Sequence, residues 1–158
     1  MSVKLFVFVA GSQLELWRRH ATGRFEVVQA SGWSELQTHA HIDAGLLLFH
    51  LAERMNLSND GSQSAIRRNS ATLGPRYWIV SPRLQPAVAA NPEEAIADIV
   101  LEMLTAVAAH NERCEEAEHI TTVALSGTEL GGHSALDPGA RADAIGRGLE
   151  AFVTLFAE

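Results

Sequence analysis

The sequence predicts an α/β fold, a sandwich built on a largely parallel sheet, and three observations carry that expectation. Residues 3–10 are a near-continuous apolar run rich in Val and Phe, as expected of a strand covered on both faces by helices. Strand-like and helix-like segments then alternate along 158 residues with no internal repeat, low-complexity tract or linker, which points to a single domain, residues 1–158. Residues 121–145, TTVALSGTELGGHSALDPGARADAI, place a strand, a glycine-rich loop and a helix in succession, an order in which backbone amides hold a phosphate.

Each element has a local reason. Ser12 and Glu15 have capping-box spacing, and Leu14 and Trp17 fall at helical spacing until Gly23 stops the segment. Residues 25–29 form a short strand, broken by Gly32. In HIDAGLLLFH, residues 41–50, a strand comes first and then a helix that continues through Leu51, Ala52 and Met55. NLSNDG, residues 56–61, is dense in turn formers, and residues 62–68 start a short helix. Residues 77–80 are a strand closed by Pro82 and Pro86. Asn91, Pro92, Glu93 and Glu94 supply a cap, a first-turn proline and two carboxylates at the positive end of a long helix. Ile96, Ile99, Val100, Met103, Leu104, Val107 and Ala108 form its apolar face, and its polar face ends near His110 and Asn111. Glu115, Glu116 and Glu118 make an acidic, solvated connection to a strand over residues 119–125. Ile145, Leu149, Phe152, Val153 and Phe156 mark one apolar face of the last helix.

Composition narrows the function classes. The net charge is −7, Lys4 is the only lysine, and no basic run offsets the acidic balance, so neither nucleic acid nor an anionic membrane is expected as a partner. The apolar residues 1–10 are too few to span a bilayer. One cysteine, Cys114, offers neither an internal disulfide nor a zinc motif, which points to a reducing, cytoplasmic location.

In an α/β sheet, ligands bind outside the carboxyl ends of the strands, and the loop over residues 126–137 sits at such an end. Gly127 and Gly132 match the spacing of G-x-x-x-x-G-K-[ST], but His133 and Ser134 stand where the lysine and hydroxyl belong, and G-x-G-x-x-G is absent. ATP hydrolysis and dinucleotide redox chemistry are therefore disfavoured, and no cofactor is expected. Ala124 stands where G-x-S-x-G needs its first glycine, which removes Ser126 as a nucleophile.

His39, His41 and Asp43 would share one side of an extended segment, yet no further ligand stands at motif spacing, so no metal is expected. His133 reads either as an anion contact or as a plain loop histidine. Arg67 and Arg68 read either as phosphate contacts or as the outer face of a short helix. Trp17 and Trp78 belong to the core, and Trp33 belongs either there or in a base stack.

The run ITTVALSGTELGGHSALDPGARADAIGRGLEAF resembles the closing strand, loop and helix of macro domains. NPEEAIADIVLEMLTAVAAHN resembles the helix before them, and GPRYWIVSPRLQ an earlier strand. The resemblance covers residues 74–152 and is fainter over residues 1–73. It implies a three-layer α/β/α sandwich with a mixed, largely parallel sheet that binds ADP-ribose or a derivative. Some members of that family also hydrolyse ADP-ribose linkages.

On that resemblance, Gly127, Thr128, Leu130, Gly131, Gly132, His133 and Ser134 hold a diphosphate, and Asn59, Asp60, Gly61 and Ser62 line the other side of the ligand. Two departures bear on activity. The family's Gly-Asp step after the second strand is Ala30-Ser31 here, and its Asn-Ala-Ala-Asn run is Leu47-Leu48-Phe49-His50. The family's adenine-reading Asp and catalytic Asn are thus both absent, and no catalytic residue is assigned.

Two functions follow. One is a module that binds ADP-ribose or a related nucleotide or diphosphate, without strong hydrolase activity. The other is an interaction or scaffold module for a protein partner or a second copy, its pocket closed by Leu47, Leu48 and Phe49. A hydrolase built on His133 or His50 would need that histidine in the groove with a carboxylate partner.

Overall fold

The computed structural model describes residues 3–39, 41–57, 59, 61, 63–71, 74–82, 91–127, 130 and 136–156, without the side chains of His39, Phe49 and His50. Strands β1 (Lys4–Val9), β2 (Glu26–Gln29), β3 (Ala44–Leu47), β4 (Ala65–Arg68), β5 (Tyr77–Val80) and β6 (Thr122–Ser126) form one sheet in the order β2-β1-β6-β3-β5-β4. All neighbours are parallel except β4, which runs antiparallel to β5 at the edge. The helices are α1 (Leu14–Ala21), α2 (Trp33–His39), α3 (Phe49–Arg54), α4 (Pro92–Arg113) and α5 (Pro138–Leu155).

Alternation along the strands sorts side chains onto two faces, both covered. Leu5, Val7 and Val9 of β1, with Val123 and Leu125 of β6, pack under α1, α4 and α5. Phe6, Phe8 and Ala124 pack with Leu36 of α2 on the opposite face, where Ala52 of α3 also meets Leu47, Trp78 and Val80. The result is the three-layer α/β/α sandwich with a mixed, largely parallel sheet.

Several local expectations give way to tertiary packing. Ser12 caps nothing: a 3-10 turn over Gly11–Gln13 leads into α1 with no side-chain cap, and Gln13 Oε1 instead accepts from the Trp17 indole N–H at 3.3 Å. The expected short helix at residues 62–68 contains instead the strand β4, because Ile66 is drawn onto the core and Arg68 reaches Tyr77 and Glu118. Glu118 is therefore not merely solvated. Its carboxylate takes the Tyr77 hydroxyl as well as Arg68, and these two hydrogen bonds hold it below the usual glutamate range.

Asn111 is buried rather than on the polar face, and its amide exchanges bonds with the Ile120 backbone at 2.9 and 2.8 Å. Along α5, Ile145 and Phe152 are buried, but Val153 and Phe156 are 57% and 44% exposed, so the apolar stripe outruns the core at its end.

At the amino-terminal edge of the sheet, Asp43 is 4% exposed and joins three strands. Its N–H donates to Thr122 Oγ1 at 2.9 Å, its carbonyl accepts from Tyr77 N–H at 3.0 Å, and its carboxylate accepts from Thr121 N–H at 2.9 Å, Thr121 Oγ1 at 3.0 Å and Arg76 at 3.1 Å. Burial pushes this carboxyl up, but the Thr121 bonds, the Arg76 charge and the His41 bond outweigh it and hold the group below the ordinary aspartate range.

Two predictions follow from these contacts. Removing one partner of a buried pair strands the other, so Asp43→Ala should cost about 3 kcal/mol in urea unfolding at neutral pH. A carboxyl whose folded pKa is depressed contributes stability that is complete above the ordinary aspartate range and lost as pH falls through that range and below. Unfolding free energies of wild type and Asp43→Asn should therefore converge as pH approaches about 2.

A third prediction concerns Gly45 of β3, where a Cβ would lie 2.6 Å from Trp33 Cζ3 and 2.9 Å from Trp78 Cζ3. Gly45→Ala should cost about 1–3 kcal/mol by overpacking and appear as a lowered melting temperature.

Candidate functional site

The helices that follow β6 and β3 lie on opposite faces: α5 packs with α1 and α4, whereas α3 lies on the other side. Neighbouring parallel strands whose connections diverge in this way leave a crevice outside their carboxyl ends. Here the seam itself opens. Pairing between β3 and β6 covers only Ala44 with Val123 and Gly45 with Ala124. The outer seams run on, with Ser81 N–H donating to Leu47 O at 3.0 Å and Gly127 N–H to Phe8 O at 3.0 Å. The carboxyl halves of β3 and β6, Leu46 to Leu47 and Leu125 to Ser126, thus border a gap in the ladder.

Of the two loops singled out in the sequence, the described residues Asn59 and Gly127 stand at this edge, one on each side of β3. Gly127 follows β6 directly. Asn59 is tied to the end of β5: its Nδ2 donates to Val80 O at 2.9 Å and to Gln63 O at 2.8 Å, and its Oδ1 accepts from Gly61 N–H at 3.0 Å. Those bonds make Asn59 the staple of its loop, with neither amide hydrogen left for a ligand.

Gly127 is a glycine because of packing: a Cβ there would lie 2.8 Å from Val9 Cγ1 and 2.9 Å from the Trp17 ring. Leu130 is buried in the core, and its N–H donates to Ser126 O at 3.2 Å. Gly61, Gly127 and Leu130 have therefore all committed their N–H groups internally and frame the site. Asp60, Ser62, Thr128, Gly131, Gly132, His133 and Ser134 lie outside the described residues.

Three residues that sequence reasoning missed shape the same edge. Arg141, one turn into α5, donates from Nε to Leu136 O and from a terminal nitrogen to Gly127 O, both at 3.3 Å, and so clamps the two ends of the glycine-loop stem. Asp137 caps α5 by accepting from Ala140 N–H at 2.8 Å, which places a carboxylate at the helix's positive end and disfavours an anion there. Glu35, in the first turn of α2, accepts from Ser31 N–H at 2.8 Å and Ser31 Oγ at 2.7 Å. An exposed carboxylate thus stands beside Ala30-Ser31, where the sequence showed no acid at that step. The only hint was the spacing of Ser31 and Glu35, one helical turn apart.

Other candidates resolve into framework. Trp33 packs edge-on between Phe8 and Trp78, with ring centroids 4.8 and 5.2 Å apart. Leu47 is buried against α3, and Leu48 is half-buried toward the face of α1, α4 and α5, so the two point to opposite sides of the sheet. The extended segment that would align His39 with His41 does not form, because α2 continues through His39. His41 pairs with Asp43 at 3.0 Å, and no three-residue metal cluster exists among the described residues. Arg67 and Arg68 lie on the edge strand β4, away from the crevice.

A separate groove of about 860 Å³ runs between β4 and α4, bordered by Ser64, Ile66, Pro82, Asp98, Glu102 and Arg113 among others. It flanks the sheet rather than the switch point between β3 and β6. Compared with models of known families the chain matches none, and no curated protein is significantly similar to it.

Packing and ligand roles of the glycines separate by substitution. Gly127→Ala should lower stability by about 1–3 kcal/mol. Gly61→Ala meets the Asn59 Oδ1 at 3.3 Å and the Gln63 nitrogen at 4.0 Å and should stay within about 0.5 kcal/mol of wild type, both read by urea unfolding.

Proposed function

We propose that the protein is a macro-domain-like module that binds ADP-ribose or a related nucleotide diphosphate in the crevice between β3 and β6, without strong hydrolase activity. The observation that carries this reading is the early end of β3–β6 pairing at a switch point flanked by the two candidate loops. The glycine-rich stretch of the sequence begins where β6 ends, and a strand followed by such a loop is suited to holding a diphosphate through backbone amides. Glu35 beside Ser31 offers a carboxylate to the amino group of a base. Binding is favoured over catalysis because Leu47-Leu48-Phe49-His50 supplies no amide side chain at the end of β3.

A second reading, an interaction module with no nucleotide site, draws on two observations. The described loop amides are already bonded, and α5 carries its own carboxylate cap.

Calorimetric titration with ADP-ribose, with AMP and phosphate as comparisons, separates the two. The first reading expects micromolar ADP-ribose binding, lost when Gly131 and Gly132 are both replaced by leucine. It also expects a roughly tenfold weakening in Arg141→Ala, about 1.4 kcal/mol for a loosened loop stem. No heat at millimolar ligand from folded protein would favour the second.

A further inference from the structure

We propose that His20 is a proton-operated control on the crevice, its charge offsetting the carboxylate that stands where the glycine loop returns to α5. The control rests on the diphosphate reading of that crevice and adds its regulation. Asp137 gives it something to act on: it caps α5 by accepting from Ala140 N–H at 2.8 Å and holds a negative charge at the outgoing end of the loop.

α1 reaches both ends of that loop. Trp17 packs on Gly127 at the ingoing end, and His20, one turn on, packs on Gly139 at the outgoing end, where a Cβ would lie 2.8 Å from the imidazole Nε2. Asp137 Oδ1 is 3.3 Å from the same point, so imidazole and carboxylate are at most about 6 Å apart, within the range where one charge alters another's surroundings. Nδ1 of the ring lies 3.2 Å from Asp143 Oδ1. The ring thus stands near two carboxylates of α5, with its side chain 32% exposed and open to protons.

The charged groups around His20 come from three directions. α5 contributes Asp137 and Asp143. The turn before β2 contributes Arg24, which lies across Gly146, donates to Glu150 at 3.1 Å and approaches Asp143 at 3.8 Å. α1 itself adds Arg18 and Arg19 in its last turn. Of these residue types only histidine changes charge between about pH 5 and 8. Above that range Asp137 opposes a diphosphate held by the adjoining loop, and below it an imidazolium offsets that opposition at short range. Acid therefore favours the anion, and a bound anion reciprocally holds the proton on His20.

Calorimetric titration with ADP-ribose, whose diphosphate keeps both charges between about pH 5.5 and 8, tests the sign, and wild type should bind about threefold more tightly at the acid end. All 7 histidines make the chain less negative in acid, so the variants decide the matter. His20→Gln, which keeps a donor for Asp143, should lose most of the pH dependence. Asp137→Asn keeps a cap oxygen and should gain more affinity at the alkaline end than at the acid end. A dependence that survives His20→Gln, or that disappears instead in His133→Gln, would overturn the assignment.

The ligand-free protein supplies a second arm by NMR. The Ala140 amide, which donates to Asp137, should titrate in step with the His20 ring and cease to do so in His20→Gln. An Ala140 resonance indifferent to His20 would overturn the coupling. No heat from ADP-ribose at any pH, with that coupling present, would refute the diphosphate reading alone.

Discussion

The architecture depends on how Asp43 holds the last strand in the middle of the sheet. β6 arrives after all the others and is inserted between β1 and β3, so its position rests on contacts distant in sequence. Asp43 supplies them at the amino-terminal edge, where backbone and carboxylate together bind Thr121, Thr122 and Tyr77. Arg76, anchored on the same carboxylate, reaches the carbonyls of Ala117 and His119 and fixes the segment that leads into β6. Because the seam is fastened so firmly at this end, β3 and β6 need not pair at the other. The seam is thus clamped at one edge, and its ladder pairing stops at Gly45 and Ala124 toward the other.

The second constraint is steric. Gly45 and Gly127 are the points where the sheet lets indole rings come close, Trp33 and Trp78 over one and Trp17 beside the other. Gly45 lies on β3 and Gly127 just past β6, so the rings that fill both faces also brace the two strands on either side of the seam. Around that rigid frame the loops are stapled by single side chains, Asn59 on one side and Arg141 on the other. A site is most precise when its supporting groups are themselves locked in this way.

Much of the fold was legible because burial on both faces leaves long apolar runs. Residues 3–10 and 77–80 read as strands, and Asn91-Pro92 announces α4, where the Asn91 side chain does accept from Glu94 N–H at 3.1 Å. The failures have physical causes. β4 is a four-residue edge strand whose identity comes from its partner β5, not from local pattern. Ser12 and Glu15 fit a capping box, but the chain turns one residue too early for the box to form. That Gly127 would stand just past the carboxyl end of a strand was foreseeable. The internal commitment of Asn59, Gly61 and Gly127 was not, since a residue type that suits a ligand also suits a tight turn or a close ring. Glu35 escaped notice because its partner Ser31 lies before the helix that carries it, and Arg141 because it reaches back to Gly127.

The most direct test of the open-seam account is an amide chemical-shift map of the folded protein titrated with ADP-ribose. The account predicts saturable shifts at Leu48, Ser81, Ser126 and Gly127, with Asp43, Thr121 and Tyr77 at the clamped end unmoved. Saturation with shifts at the clamped end or only along the β4–α4 groove, or no shifts at millimolar ligand, would contradict it.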